Sequence, residues 1–405
     1  MNTMSTSMAV QQSAKRTSVM LLGVSFAHLL NDAMQAAVPA GFPVFRQSLD
    51  LSFAQIGWVA FTLNITASIL QPLIGRYTDR KPMPLLLPLG MLFTLLGMVG
   101  LAFASSFMLL LGAVALVGVG SSILHPESSR VAHMAAGRSK GLAQSIFQIG
   151  GNTGQTLAPL LIAFFIVPRG QGGFIWLATL AVIGIVVQLA IGKWYKRQVA
   201  ARERKDRTAP TAERRFSNRY VTFVFAVLIL LLFSKFVYLA SMTGYYVFYA
   251  MERFGLSLEQ AQVCLFVLQF GGMVGTLLGG PLADRFGRKP VIWLSIFGTA
   301  PFSLLLPYAG HAWAIVLCAC IGLILMSGFS VIIVYAQEML PGHVGTVAGL
   351  FFGLSFGLGG IGSVALGWAA DAVSISTMMH VCAWLPLLGA IAFLLPKDKS
   401  IMGRA

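Results

Sequence analysis

Four polar residues interrupt an otherwise apolar stretch: His28, Asn31, Asp32 and Gln35 recur at the i, i+3, i+4, i+7 spacing that places side chains on one face of a helix. An imidazole and a carboxylate one turn apart can hand a proton between them, and the two amides beside them can orient that pair or a bound solute. Counted from Arg16 at about 1.5 Å per residue, His28 lies about 18 Å and Asp32 about 24 Å along the helix. An ionisable group that deep in an apolar medium costs on the order of 3 kcal/mol unless a wet cavity or a partner receives it. A purely structural polar knot would meet that requirement too; two titratable groups one turn apart favour proton carriage.

Three further stretches carry groups of the same kind. The sequence HPESSR supplies His125, Pro126, Glu127 and Arg130, in which Glu127 and Arg130 are three apart and can pair on a helix. Counting inward from Phe107 puts this stretch near a membrane boundary, so a helix end with a surface ion pair is the competing interpretation. Gln144, Gln148, Asn152 and Gln155 form a second one-face stripe, with Gly150, Gly151 and Gly154 beside it. Those amides either line a cavity or bind neighbouring helices. Lys235 is the one cation inside an apolar span, followed on its own face by Tyr238, Met242, Tyr245 and Tyr249. A lysine there needs an anionic partner, water or an anionic ligand, and an aromatic-lined cation suits an anionic, partly apolar solute; the tyrosines also serve as interface anchors elsewhere.

The elements that must position these groups are membrane helices. Hydrophobic residues make up 57% of the 405 and charged residues only 10%, with a mean hydropathy of +0.80, which no ordinary soluble domain accommodates. Spans need roughly 20 apolar residues each. Twelve segments qualify: 17–45, 53–75, 84–104, 107–130, 141–166 and 173–194, then 220–251, 258–283, 290–308, 312–337, 346–370 and 376–395. The expected fold is therefore an all-α membrane protein of twelve transmembrane helices in two six-helix halves, with an N-terminal half over 1–192, a basic linker over 193–219 and a C-terminal half over 220–405.

Charge placement orients the chain. Arg46, Arg169 and Arg253 fall in the outside breaks and Lys235 within a span, whereas the remainder of the 28 Lys and Arg fall in inside breaks or at the inside ends of spans, which is the positive-inside pattern with both termini cytoplasmic. The formal charge of +15 thus reflects the bilayer and not nucleic acid, and the linker is expected at the anionic lipid surface. Cys264, Cys318, Cys320 and Cys382 lie inside spans with no metal-ligand spacing, so neither disulfides nor a metal are expected. The apolar run after Lys15 and Arg16 resembles a signal peptide, but His28, Asn31 and Asp32 interrupt it and it reads as an uncleaved first span.

The two halves echo one another. The turn GRYTDRKP at Gly75–Pro82 recurs as GGPLADRFGRKP at Gly279–Pro290, and the offset that carries Gly75 onto Gly280 also carries Asp79 onto Asp284, Arg80 onto Arg285, and Leu51, Ser52 and Gln55 onto Leu256, Ser257 and Gln260. The second copy resembles the G-x-L-x-D-R-x-G-R-K signature of the major facilitator superfamily of secondary transporters, matched at Gly280, Leu282, Asp284, Arg285, Gly287, Arg288 and Lys289; the first copy lacks the Leu and the F-G-R portion. The resemblance implies a gating role for Gly75, Asp79, Arg80, Gly280, Asp284, Arg285 and Arg288. In that family the glycine permits close helix approach, the aspartate meets a helix N-terminus, and the basic residues hold the cytoplasmic face closed.

The HPESSR and FAHLLND stretches further resemble the fosmidomycin resistance subgroup of that superfamily, over essentially the whole chain. The resemblance implies an antiporter of the bacterial inner membrane that exports fosmidomycin or similar small anions in exchange for protons, with spans 1, 4, 7 and 10 around a central cavity; a monomer is expected. Asp32, with His28 or Glu127, would carry the proton. Asn31, Gln35, His125, Arg130, Gln148, Asn152, Lys235, Tyr238 and Tyr245 would meet the substrate, Arg130 by bidentate hydrogen bonds and Lys235 as a point charge. A proton symporter importing a sugar, organic acid or phosphorylated metabolite is the alternative on the same scaffold. No H-E-x-x-H, G-x-S-x-G or Walker loop is present, so no enzyme, cofactor or ATP dependence is expected.

Overall fold

The computed structural model describes residues 2–135, 140–202, 217–340 and 344–396, and every regular element among them is helical. The first half comprises α1 (Asn2–Ala40), α2 (Phe42–Leu49), α3 (Phe53–Arg80), α4 (Leu86–Phe103), α5 (Phe107–Ala135), α6 (Lys140–Leu161) and α7 (Ile175–Arg202). The second comprises α8 (Asn218–Gly244), α9 (Tyr246–Phe254), α10 (Leu258–Phe286), α11 (Arg288–Phe297), α12 (Ala300–Leu305), α13 (His311–Met326), α14 (Phe329–Met339), α15 (Val344–Ala372), α16 (Ile375–Cys382) and a 3-10 stretch, Leu385–Leu394. Eleven segments among the described residues are long and apolar enough to cross a membrane. The remaining long helix, α1, carries the His28 to Gln35 polar stripe and makes the twelfth crossing.

Local chemistry sets the boundaries. Ser52 and Gln55 form a reciprocal capping box at the start of α3, and Ser257 and Gln260 form the same box at the start of α10. The sequence repeat thus recurs as a repeated helix start. Several crossings are broken: α1 ends at Ala40 with Pro43 in the first turn of α2, α8 gives way to α9 at Tyr245, and α13 to α14 around Ser327 and Gly328. The seventh helix runs on to Arg202, so the first part of the stretch read as linker is helical.

Two ends of the bundle can be told apart. The linker end carries the close of α7 and the Gly279–Pro290 turn; the far end carries α2 and α9. Buried apolar side chains form one cluster at the far end that draws on both halves, including Phe42, Phe45, Val59 and Leu63 with Tyr245, Tyr246, Val247 and Leu366. At the linker end the core divides. Val24, Leu87, Val131, Phe147 and Ile191 form a cluster of first-half residues, and Val224, Leu228, Ile292, Ile332 and Phe351 one of second-half residues.

Contacts between α3 and α15 show how tightly the far end is sealed. The carboxylate of Asp371 accepts hydrogen bonds from the backbone N–H groups of Phe53 and Ala54 at 2.9 and 2.8 Å. A Cβ on Gly57 would lie 2.5 Å from the carbonyl oxygen of Ser363. Nearby, Gln262 on α10 donates to the carbonyl of Ala40 at 2.5 Å, and Arg46 lies 4.2 Å above the Phe53 ring and 5.9 Å above that of Phe248. Further along, Thr156 on α6 donates to the carbonyl of Gln269 on α10. The two halves are joined from the far end to about mid-depth.

Candidate functional site

The stripe on α1 does face inward, and the partner it meets is α5. Asp32 is buried, and each of its oxygens has two nitrogens beside it. Around Oδ1 stand Asn31 Nδ2 at 3.1 Å and His125 Nε2 at 3.3 Å; around Oδ2 stand Gln155 Nε2 at 2.8 Å and His28 Nε2 at 3.4 Å. Asn31 also donates to Ser121, and the Ser121 hydroxyl donates to Gln35, so the whole stripe is engaged. The two imidazoles meet edge to face at 5.0 Å, and His28 stacks on Phe147 at 4.0 Å.

The histidines are held alike. His28 Nδ1 lies 2.8 Å from the carbonyl oxygen of Phe147, and His125 Nδ1 lies 2.8 Å from that of Ser121. A carbonyl oxygen only accepts, so Nδ1 must carry the hydrogen in each ring, and in the neutral ring Nε2 is left with a lone pair. Both lone pairs point at the carboxylate. Four atoms that can only accept, two ring nitrogens and two carboxylate oxygens, would then face one another, unless a cation or a proton stands among them. The ligand atoms of His28, Asp32 and His125 all fall within 4.8 Å of one another, a spacing that protons or a divalent ion would satisfy.

Access and packing are asymmetric. The side chains of His28 and Asp32 are each 4% exposed, whereas that of His125 is 26% exposed and forms the open edge of the cluster. The floor is Gly151 on α6: a Cβ there would stand 2.4 Å from His28 Cε1 and 2.9 Å from Asp32 Oδ2. Missing bulk at Gly150 and Gly154 likewise lets α6 press on the backbone of α1 at Ser25 and Leu29.

The Glu127 carboxylate belongs to a different assembly. It is fully buried, accepts from the Tyr195 hydroxyl at 3.2 Å and lies 3.7 Å from Arg130. Arg130 in turn donates to the carbonyl oxygens of Thr78 and Gly75 and to the Thr78 hydroxyl. Span 4 is thereby tied to the end of α3 and to α7 at the linker end. The structure groups His125 with Asp32 and His28, and leaves Glu127 and Arg130 together, apart from that cluster. The ion pair that the competing interpretation put at the surface is instead drawn inward, with Glu127 buried and the Arg130 side chain 18% exposed.

In the second half, Lys235 is fully buried and its ammonium donates to the carbonyl of Leu325 near the end of α13. Tyr238 is buried, and its hydroxyl has no hydrogen-bond partner among the described residues. Tyr245 is committed to the far-end seal, donating to Ser363 at 2.6 Å. On α6, Gln148 is half-buried, and the buried amide nitrogen of Asn152 has no hydrogen-bond partner among the described residues.

Of the gating residues, Gly75 lies against Pro126, with 3.8 Å between a built Cβ and the proline. The side chains of Asp79 and Arg80 lie outside the described residues. Gly280 has nothing within 4 Å of a built Cβ; the close approach is made by its neighbour Gly279, where a Cβ would overlap the Ser327 carbonyl. Asp284 and Arg285 are exposed, and Arg288 pairs with Glu338 of α14 at 2.6 Å. Gly287 takes a φ of 95°, a conformation that side-chain-bearing residues rarely adopt.

Sequence reasoning missed Asp371, which reads as a solvated charge and instead caps α3 from the opposite half. Ser52 and Gln55 were legible only as members of the internal repeat; that they cap a helix start, and that an acid stands across from it, are seen in the structure alone.

This membrane-spanning bundle of helices in two halves, with a polar cluster buried inside the first, is the architecture of a transporter, and the chain belongs to the Major Facilitator Superfamily, whose family model matches residues 24–364. Among curated relatives, it is 48% identical to the Fosmidomycin resistance protein of Escherichia coli (strain K12) over 392 residues, covering 96% of each chain. It is 45% identical to an uncharacterized MFS-type transporter, YfnC, of Bacillus subtilis (strain 168), covering 97% of this chain and 96% of that one. Among solved structures, a bacterial homolog of the human lysosomal transporter Spinster, in an inward-facing and occupied conformation, superposes with a TM-score of 0.72 at 16% identity, covering 93% of this chain and 96% of the other.

Proposed function

We propose that the protein is a proton-coupled antiporter that exports fosmidomycin or similar small anions across the bacterial inner membrane. It would act as a monomer with both termini in the cytoplasm, and the halves would be bounded by the basic segment 193–219. The observation that carries the coupling half of this reading is the arrangement of His28, Asp32 and His125, in which two imidazole lone pairs converge on one carboxylate. One added proton makes that group electrically neutral and turns repulsion into a hydrogen bond. A second proton makes it cationic, so the charge of the cluster follows its occupancy. Likeness to the Escherichia coli Fosmidomycin resistance protein supports the choice of solute.

In this reading the linker end is cytoplasmic and the state is open inward. Anionic drug enters toward Asn31, Gln35, Gln148, Asn152, Tyr238 and Lys235; Lys235 leaves the Leu325 carbonyl for the drug, and the proton leaves through His125 as the drug binds. Rocking of the halves then breaks the far-end seal and forms one at the linker end. Arg130 and Glu127 hold the rim from which the linker-end seal is built, with Asp79, Arg80, Asp284, Arg285 and Arg288 as its gating charges. The protein moves its solute chemically unchanged.

The test is transport in proteoliposomes under an imposed pH gradient, comparing wild type with Asp32→Asn and His125→Gln. Drug binding retained with loss of gradient-driven movement supports the coupling assignment; full gradient-driven transport in both variants refutes it. Drug moving in the same direction as protons would establish import by symport.

A further inference from the structure

A groove of about 620 Å³ lies between α1 and α7 at the linker end, lined by Met20, Val186, Leu189, Ala190, Lys193, Trp194 and Arg197. Most of its wall is one face of α7: Val186, Leu189, Ala190, Lys193 and Arg197 recur at helical spacing, apolar toward mid-depth and basic toward the end. Val186 and Leu189 are 63% and 44% exposed, so the groove opens sideways, away from the bundle. Lys193 and Arg197 are also exposed, and neither has an acidic partner among the described residues. Trp194, half-buried, stands between them at the level where an indole favours the boundary between hydrocarbon and head groups.

We propose that this groove binds an anionic phospholipid, with one acyl chain along Val186, Leu189 and Ala190 and the phosphate between Lys193 and Arg197. Dimensions agree. From Val186 to Arg197 is about 16 Å at the helical rise, close to half of the ~30 Å hydrocarbon thickness, hence one leaflet. Charge agrees as well, since two cations at the edge of the apolar layer attract an anionic head group by about as much as basic residues beside a charged leaflet do. A zwitterionic lipid would fill the apolar part but gain little from the rim. The groove is separate from the proton cluster: none of its lining residues hydrogen-bonds or pairs with His28, Asp32 or His125.

The test uses the full-length protein, purified in neutral detergent and offered equal amounts of phosphatidylglycerol and phosphatidylcholine, with retained lipid counted by native mass spectrometry. Wild type should retain phosphatidylglycerol in excess. Lys193→Gln and Arg197→Gln should each lower that preference about fivefold, whereas Lys196→Gln, exposed but outside the groove, should leave it unchanged. Ala190→Trp should reduce retention of both lipids by filling the apolar part. Thermal unfolding in detergent alone, unchanged across the variants, shows that each is folded. An undiminished preference in the Lys193→Gln, Arg197→Gln double variant overturns the proposal. So does competition by millimolar inorganic phosphate, which would mark a small-anion site. Retention that appears only after deletion of residues 203–216 overturns it too, because the linker would then be the occupant.

Discussion

Replacing Asp371 by Asn or Ala should loosen the far end of the transporter. Its carboxylate takes two backbone hydrogen bonds, at 2.9 and 2.8 Å, from the first turn of α3, where the helix presents unsatisfied N–H groups and the positive end of its dipole. Each charge-assisted bond would be worth about 1.5–3 kcal/mol in a dry site. Asp371 is exposed, so solvent screening reduces the whole to about 1 kcal/mol, or roughly a fivefold fall in the ratio of closed to open far ends. The assay is electron–electron double resonance between spin labels at Gln47→Cys and Thr377→Cys, both exposed far-end positions, in a background with the four native cysteines replaced by alanine. A longer-distance population should grow about fivefold relative to the short one in either variant, and high salt applied to the unsubstituted Asp371 should move the distribution in the same direction. Identical distributions in Asp371→Asn, Asp371→Ala and the unsubstituted background would refute the argument that this cross-half cap holds the seal.

The same geometry sets other outcomes. Gly57→Ala places a methyl 2.5 Å from the Ser363 carbonyl; relief requires backbone movement costing about 1–3 kcal/mol, so the same labels should report a larger opening than with Asp371→Asn. Gly151→Ala should displace His28, seen as lost gradient-driven transport from a protein that still purifies folded. Arg130→Lys cannot reproduce a planar guanidinium spread over Gly75, Thr78 and Glu127, and unfolding should come several degrees earlier, with a cost of about 2 kcal/mol or more for the buried carboxylate left short of partners. Lys235→Met should unfold no earlier than wild type, because it removes a buried charge whose partner is a backbone carbonyl, and should raise the drug KM at least tenfold if that ammonium meets the anion during transport.

Much of this was legible in the sequence because the membrane makes polar groups expensive. His28, Asn31, Asp32 and Gln35 stand out in an apolar helix, and their spacing alone places them on one face; the structure needs all four there. The repeat was legible for the same kind of reason, since Ser52 with Gln55 and Ser257 with Gln260 do one local job twice. Long-range pairing was not. His125 sits beside Pro126 and Glu127 in the chain, yet residues two apart point to different sides of a helix, and Asp32 claims the one while Arg130 and Tyr195 claim the other. Lys235 was recognisable as costly but its carbonyl partner was not, because backbone acceptors are everywhere. Asp371 was invisible for the opposite reason: an acid at the end of a span is commonplace, and only the fold shows a helix start facing it.

The apolar core that is shared at one end and divided at the other has a thermal consequence. In the proposed cycle, switching access wets far-end surface contributed by Phe42, Tyr245 and Leu366 and dries a different surface at the linker end, and the two areas need not match. Any mismatch gives the rocking step a heat capacity, because hydration of apolar surface carries one. The balance between the two facings then shifts with temperature along a curve, and a logarithmic plot of turnover against reciprocal temperature should bend even where no part of the chain melts.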